Sequence, residues 1–386
     1  MRESGFPWPW SGPQNRKLAL LVVAWIAALN LWALFSIQAL PLARPSDWDD
    51  DVTRRAPLFA RYDSGWYSTI AERGYQAPPA PGKQSEHAFF PLYPMTARVL
   101  HVATGLDGFR AGLLVSYAAL LFAIPLLVEE ARERFGEARA RAALPFLFVY
   151  PVAFFLASVY TESLFLLLAL LAFRAVRRGN LPLAIALGLL LGLTRAPAAA
   201  VGPALAVSFW LGRREGESRL AGAVLLFFAP LAGVLGWIFG LGYAKGEPGV
   251  FFRSMAAWRH AAGDPLAGAA AFWNELTGML TSGWFLQNPG AIAPYFHFVL
   301  YAVLGAALLH SRSFSDAAWI ACALALPVLT GTATGTPRYT LTIYPGHFAA
   351  AALCEGRPWL KWPWLGASLF GLLAESALFV NWHFIS

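Results

Sequence analysis

The chain carries one apolar run after another, and the first of them, Leu18 to Leu40, sets the terms for the rest. A helix of that length covers the ~30 Å hydrocarbon core of a bilayer at ~1.5 Å per residue. The run is longer than the core of a secretion signal. It is followed by Pro41-Leu42-Ala43-Arg44 without a small-x-small cleavage site, so it reads as a retained first span. Hydrophobic residues make up 58% of the chain and charged ones 13%, which excludes a string of soluble domains. Most of the net charge of +7 is arginine near the ends of apolar runs, where positive charge orients spans, so the basic balance does not point to nucleic acid. With 16 Trp and 29 Phe, the composition favours a lipid-facing role. Cys322 and Cys354 lie in apolar segments and imply neither a disulfide framework nor a metal site.

The topology follows from the first loop charges. Residues 1–17 form a polar tail ending in Arg16-Lys17, which the positive-inside rule keeps in the cytosol, so the first span runs outward. Residues 41–108 then make a first extracytoplasmic loop, and residues 244–290 a second, rich in Trp and Arg (Arg253, Trp258, Arg259, His260, Asp264, Trp273, Trp284), that rests on the interface and covers the outer side. Inner turns carry Arg132 to Arg141, Arg177-Arg178, Arg213-Arg214, Arg312, and Arg357 with Lys361. The expectation is a single all-α polytopic membrane domain over residues 1–386, with about 11 transmembrane helices, N-terminus inside and C-terminus outside. Met95, Val99 and Val102 recur at helical spacing after Pro94, which predicts a helix lying flat on the bilayer.

Within the first loop, RYDSGWYSTIAERGY at 61–75 reads as a short helix with Phe59, Asp63, Trp66, Tyr67 and Ile70 on one side and Arg61, Ser68 and Glu72 on the other. A carboxylate on an apolar face needs a partner or a task. The bland alternative pairs Asp63 with Arg61, Arg54 or Arg55. Three outer turns are too shallow to reach the surface: the segment from Arg178 to Thr194 cannot cross ~30 Å at ~1.5 Å per residue, and the same arithmetic sinks Glu162 and Arg338 along with Arg195. Polar turns at that depth line a cavity or are buried in protein, so the three predict one pocket opening outward beside Asp63. Two arginines there suit a lipid-borne phosphate, and the carboxylate suits a general base. The alternatives are snorkelling anchors for Arg195 and Arg338, and a helix start for Glu162 with Thr161. The run Asp47 to Asp51 is a candidate for a divalent cation or an acceptor, against a solvated turn. No His/Glu or His/His spacing marks a metal site, and His347 reads as packed against a neighbouring helix.

RYDSGWYSTIAERGY, HAFFPLYPMTARVL, YPVAFFLASVYTESLFLLLALLAF, GLLLGLTRAPAA and TGTPRYTLTIYP occur in that order across most of the chain. Together they resemble the PIG-V type mannosyltransferase family of the GT-C glycosyltransferases. The resemblance implies a GT-C-like bundle with interfacial helices in the first outer loop, a catalytic acidic residue in that loop and a polyprenyl-phosphate sugar donor, usually of mannose. Carried over by position, Asp63 is the catalytic base and the attack inverts the anomeric carbon. Arg195, Arg338 and His87 are then the donor-phosphate ligands, and Trp66, Tyr67, Glu162 and Tyr339 line the substrate pocket. Eukaryotic members build GPI anchors, whereas the Arg-over-Lys bias and compact loops here point to a bacterial plasma membrane and an unidentified glycan or lipid acceptor. A flippase or transporter of lipid-linked saccharides is the alternative, and it requires polar residues continuing to the inner face. A non-catalytic envelope partner is a third reading, and it would tolerate loss of Asp63 but not of the second outer loop.

Overall fold

The computed structural model describes residues 13–41, 43, 56–78, 80, 82–212, 218–257, 264–282 and 292–383. The acidic run Asp47 to Asp51, Arg54, Arg55, Arg213, Arg214, Trp258, Arg259, His260 and Trp284 lie outside the described residues, as does most of the 1–17 tail. Among the described residues there are sixteen α-helices and no strand. In chain order they are α1 Pro13–Ala39, α2 Ser64–Arg73, α3 Leu92–Thr104, α4 Gly108–Phe135, α5 Glu137–Phe148, α6 Glu162–Arg177, α7 Leu181–Gly192 and α8 Val201–Gly212. Then follow α9 Ser218–Ala244, α10 Val250–Ala256, α11 Pro265–Ser282, α12 Ile292–His310, α13 Phe314–Thr330, α14 Thr336–Thr342, α15 Tyr344–Leu353 and α16 Pro358–Val380.

Five helices, α1, α4, α9, α12 and α16, are long and apolar enough to cross a bilayer, and each coincides with an expected span. The other six expected spans are built from shorter helices. Three of these are broken where polar residues had been placed below the outer surface. After α5 the chain leaves helical geometry at Val149 and passes through a short 3-10 segment, Ala153–Ala157, before α6 begins at Glu162, where a span reaching Ser158 and a turn at Val159 to Glu162 were expected. Pro145 and Pro151 remove two ladder donors there. The exposed backbone is tolerated because the whole stretch is buried in protein. The second break, Leu193 to Ala200, separates α7 from α8, and the third, at Ile343, separates α14 from α15.

One hydrophobic core runs from Val22 to Val380, with α4 and α6 packed together at its centre. Peripheral helices instead expose apolar side chains, as in Leu20, Leu31 and Phe35 of α1, the surface of an integral membrane protein rather than a soluble one. The row Met95, Val99 and Val102 of α3 is likewise exposed, while Tyr93, Pro94 and Ala97 face inward. The segment expected as the second loop, residues 244–290, carries helices α10 and α11 among its described residues. Lys245 donates to the carbonyls of Tyr75 and Gln76 at 2.6 Å, the Ser254 hydroxyl of α10 lies 2.9 Å from that of Ser85, and α11 packs along α13. Its first part therefore rests on the first outer loop.

Helices α7 and α9 approach closely through glycine. A Cβ added to Gly192 would meet Gly233 Cα at 2.8 Å and collide with the Pro230 carbonyl. Small residues at helix crossings permit such approach in a bilayer, where apolar surface alone does not drive association. Gly192→Val should lower stability by about 1–3 kcal/mol through overpacking. Gly236→Ala, on the partner helix α9 with nothing within 4 Å, should leave the thermal midpoint in detergent unchanged or slightly raised.

Candidate active site

The three helix breaks converge on Glu162. Its side chain is 0% exposed, at the first residue of α6, where the positive helix end also favours a carboxylate. One oxygen, Oε1, accepts from Arg195 Nη1 at 2.9 Å, from Arg338 Nε at 2.8 Å and from Arg338 Nη2 at 2.7 Å. The other, Oε2, is buried with no hydrogen-bond partner. Arg195 comes from the α7–α8 break and Arg338 from α14, so one carboxylate oxygen joins three otherwise separate segments. The arginines are thus paired inside the protein rather than snorkelling.

Arg338 is also cradled by rings. Its guanidinium lies 4.7 Å from the Phe155 centroid and 4.6 Å from that of Tyr160, both on the irregular stretch before α6. Arg195 lies 5.3 Å from the Tyr339 centroid. Phe155 and Tyr160 carried no assigned role in the sequence reading. Their signal was the aromatic density of YPVAFFLASVY, too common in a membrane chain to single them out.

With Nε and Nη2 turned to Glu162, Arg338 presents Nη1 to Asp63, 3.5 Å from Oδ2. Asp63 is the N-cap of α2 but makes no side-chain cap hydrogen bond, and its side chain keeps 27% exposure. That difference decides between the two carboxylates: Asp63 is reachable from outside the protein and Glu162 is not. Burial pushes the Asp63 carboxyl above the usual carboxylate range, the Arg338 cation pulls it back down, and Glu162 pushes it further up.

The turn that delivers Asp63 is strained and clamped. Tyr62 has φ +53°, a left-handed conformation that bulky residues rarely adopt, and its ring packs against Phe379 and Trp382. Helical phase therefore begins only at Ser64. The expected outward side of the stretch is corrected accordingly: Arg61 and Ser68 are buried. Arg61 does not pair with Asp63. Its Nε donates to Val380 O at 3.0 Å and its Nη1 to Pro57 O at 2.8 Å, with the guanidinium 4.8 Å from the Trp382 ring. Tyr160 Oη donates to Arg61 O at 3.0 Å, and Ser64 Oγ to Val159 O at 3.2 Å, which lashes the turn to the stretch before α6. Glu72 accepts from the Gly108 amide at 2.8 Å, at the start of α4.

Tyr67 packs edge-on against Phe89, Tyr93 and Tyr160, and Trp66 stacks on Phe89 at 6.0 Å. Tyr339 and both pocket aromatics thus adjoin the cluster. His87 sits in a different neighbourhood: its Nδ1 is 3.3 Å from Ser85 Oγ and its ring 6.2 Å from that of Tyr75, with Nε2 buried and unpartnered. Burial lowers its pKa below the ordinary imidazole value. Among the described residues no group of three His, Cys, Asp or Glu side chains is placed to hold a metal ion.

The model of the mannosyltransferase (PIG-V) family matches residues 17–201, the part that supplies Asp63, Glu162 and Arg195. Over those residues the chain is similar to the PIG-V type mannosyltransferase family. Its fold is of the GT-C type. It is similar to the crystal structure of ArnT from Cupriavidus metallidurans bound to undecaprenyl phosphate, with TM-score 0.52 and 17% identity over 91% of this chain and 62% of that one. A second match, at TM-score 0.42 and 12% identity, is the Archaeoglobus fulgidus oligosaccharyltransferase in complex with Zn and sulfate, covering 90% of this chain and 53% of that one. The chain thus spans less than two thirds of the length of either structure. No curated protein matches its sequence.

Breaking a buried ion pair by removing one partner leaves an uncompensated charge, at a cost of roughly 3–5 kcal/mol. Glu162→Gln should accordingly lower the thermal midpoint in detergent strongly. Adding Arg338→Gln to it should restore part of the loss, a coupling that a double-mutant cycle on thermal unfolding measures.

Proposed function

We propose that the chain is an inverting glycosyltransferase that moves a hexose, mannose by family, from a polyprenyl-phosphate donor to an acceptor hydroxyl on the extracytoplasmic side. The observation that carries this reading is the pairing of a reachable carboxylate, Asp63, with an arginine pair anchored on an unreachable one, Glu162. The family supports the sugar, and the undecaprenyl phosphate bound to ArnT supports a lipid phosphate donor.

Asp63 accepts the proton of the acceptor hydroxyl as its oxygen attacks the anomeric carbon from the face opposite the phosphate. The bond between that carbon and the phosphate oxygen breaks, and the polyprenyl phosphate leaves with the electron pair. It needs no proton, only positive charge nearby, which Arg195 and Arg338 supply from fixed positions. Guanidinium is suited to this because its planar fork meets phosphate oxygens in pairs. Glu162 holds the two cations in place. Trp66, Tyr67 and Tyr339 offer apolar and stacking surface for the sugar and the first isoprene units, and His87, whose contacts lie with Ser85 and Tyr75, has no part in this scheme. The acceptor is a glycan or lipid at the membrane surface.

Residues Ser163 to Phe173 of α6, running inward from Glu162, are apolar apart from Ser163 and closely packed, as suits a one-sided site better than a through-path for a transported saccharide.

Two measurements test the scheme. With polyprenyl-phosphate mannose and purified protein, Asp63→Asn should reduce turnover by about 10²–10⁴-fold, the usual contribution of a general base; turnover at the wild-type rate would refute the assignment. The base must be deprotonated to act, so activity should fall as pH drops through the raised Asp63 pKa. Because Arg338 holds that pKa down, Arg338→Gln should move the acid limb of kcat/KM to higher pH while also weakening donor binding.

A further inference from the structure

The end of the bundle away from Asp63 carries a second site of different character. Helix α6 runs from Glu162 to Arg177, about 22 Å at ~1.5 Å per residue. At its far end Arg174 and Arg177 pair with Glu129 and Glu130 of α4. Helix α5 starts directly beyond α4, and its first residue, Glu137, accepts from Gln14 at the start of α1. Beside that point, α5, the end of α15 and the first turn of α16 enclose a cavity of about 300 Å³.

Its floor is apolar, formed by Ala142, Phe146 and Ala351, and its rim is cationic, formed by Arg139, Arg357 and Lys361 with a single carboxylate, Glu355. Arg139 is paired with that carboxylate at 2.9 Å. Arg357 gives Nη1 to the Leu353 carbonyl at 2.9 Å, and Lys361 Nζ lies 5.2 Å from the Trp362 centroid. Neither pairs with a carboxylate among the described residues, so the cavity holds an excess of positive charge. Trp362 lines it at 65% exposure, and Trp359 in the first turn of the same helix is 73% exposed, at the end of a membrane-spanning helix, where tryptophan marks the headgroup level.

We propose that this cavity binds the headgroup of an anionic phospholipid, with its phosphate charge on Arg357 and Lys361. Three observations select that occupant. The excess charge is complementary to a phosphate diester, and basic pockets between spans recognise such headgroups. The apolar lining of Ala142, Phe146 and Ala351 beside the cationic residues suits the glycerol and first methylenes of a lipid rather than a free anion. The exposed Trp pair places the mouth at the bilayer interface, where a lipid reaches it by lateral diffusion. The inference is independent of the reaction proposed for the opposite end.

The test is native mass spectrometry of delipidated full-length protein in detergent, titrated with phosphatidylglycerol or, separately, phosphatidylcholine. Phosphatidylglycerol should bind saturably at one site at least tenfold more tightly than phosphatidylcholine. The double variant Arg357→Ala, Lys361→Ala should abolish that preference. Arg178→Ala, a charge removed from the same end outside the cavity, should retain it. Glu355→Gln, which releases Arg139, should tighten phosphatidylglycerol binding, a gain that no misfolded variant would give. Equal binding of the two lipids, an undiminished preference in the double variant, or displacement of phosphatidylglycerol by equimolar inorganic phosphate would each overturn the proposal.

Discussion

A single carboxylate oxygen joins three separate segments of this molecule. Glu162 is buried completely, and a buried anion demands compensation. It draws that compensation from two sequence-distant arginines, Arg195 in the break between α7 and α8 and Arg338 in the first turn of the short helix α14. Had α7 continued through Thr194, the Arg195 guanidinium would have been carried along a helix surface instead of meeting Arg338 at Glu162. The irregular backbone at membrane depth and the charge cluster therefore explain each other: the breaks place the charges, and protein packed around the cluster shields the exposed peptide groups from lipid.

The cluster is graded rather than symmetric. Arg338 has two nitrogens on Glu162 and only a longer 3.5 Å approach to Asp63, and the rings of Phe155 and Tyr160 hold it in that attitude. Asp63 in turn is fixed through its backbone, by the left-handed Tyr62 and the clamp at Arg61, and not by a cap hydrogen bond that would occupy its oxygens. A carboxylate positioned by main chain and left partly exposed retains its oxygens for an incoming group. The structure separates a fully buried anchoring carboxylate from a partly exposed one, two residues that look alike in the sequence.

Much of the fold is legible in the chain because hydrophobic length is a direct physical requirement of a bilayer. The five long spans follow from it, and so does the depth of Arg195, since the distance from Arg178 to Thr194 is simply too short. The convergence of Glu162, Arg195 and Arg338 was reached by the same arithmetic. What periodicity could not supply was phase. The wheel drawn through residues 61–75 turned Arg61 and Ser68 outward, yet the helix begins at Ser64, and the residues before it obey a strained turn instead. Ser68 is buried because Gly108 of α4 sits directly on it, a contact with no signature in the local pattern. The stretch from Val149 to Ser158 read as the end of a span since its composition is apolar, and composition does not distinguish a helix from irregular chain buried in protein. His87 adjoins the family motif in sequence, but its contacts lie with Ser85, Tyr75 and the segment around α10.

The hydrogen bond from Arg61 to the Val380 carbonyl joins positions 319 residues apart, and the Arg338 to Glu162 bonds span 176. During synthesis, the turn bearing Asp63 emerges early and then waits for nearly the whole remaining chain before its clamp exists. Loop closure over such separations is slow relative to local helix formation. The geometry at Asp63 is thus a late product of assembly: a chain that has inserted all but its final helix holds every residue of the charge cluster and still lacks the contact that sets the direction of its reachable carboxylate.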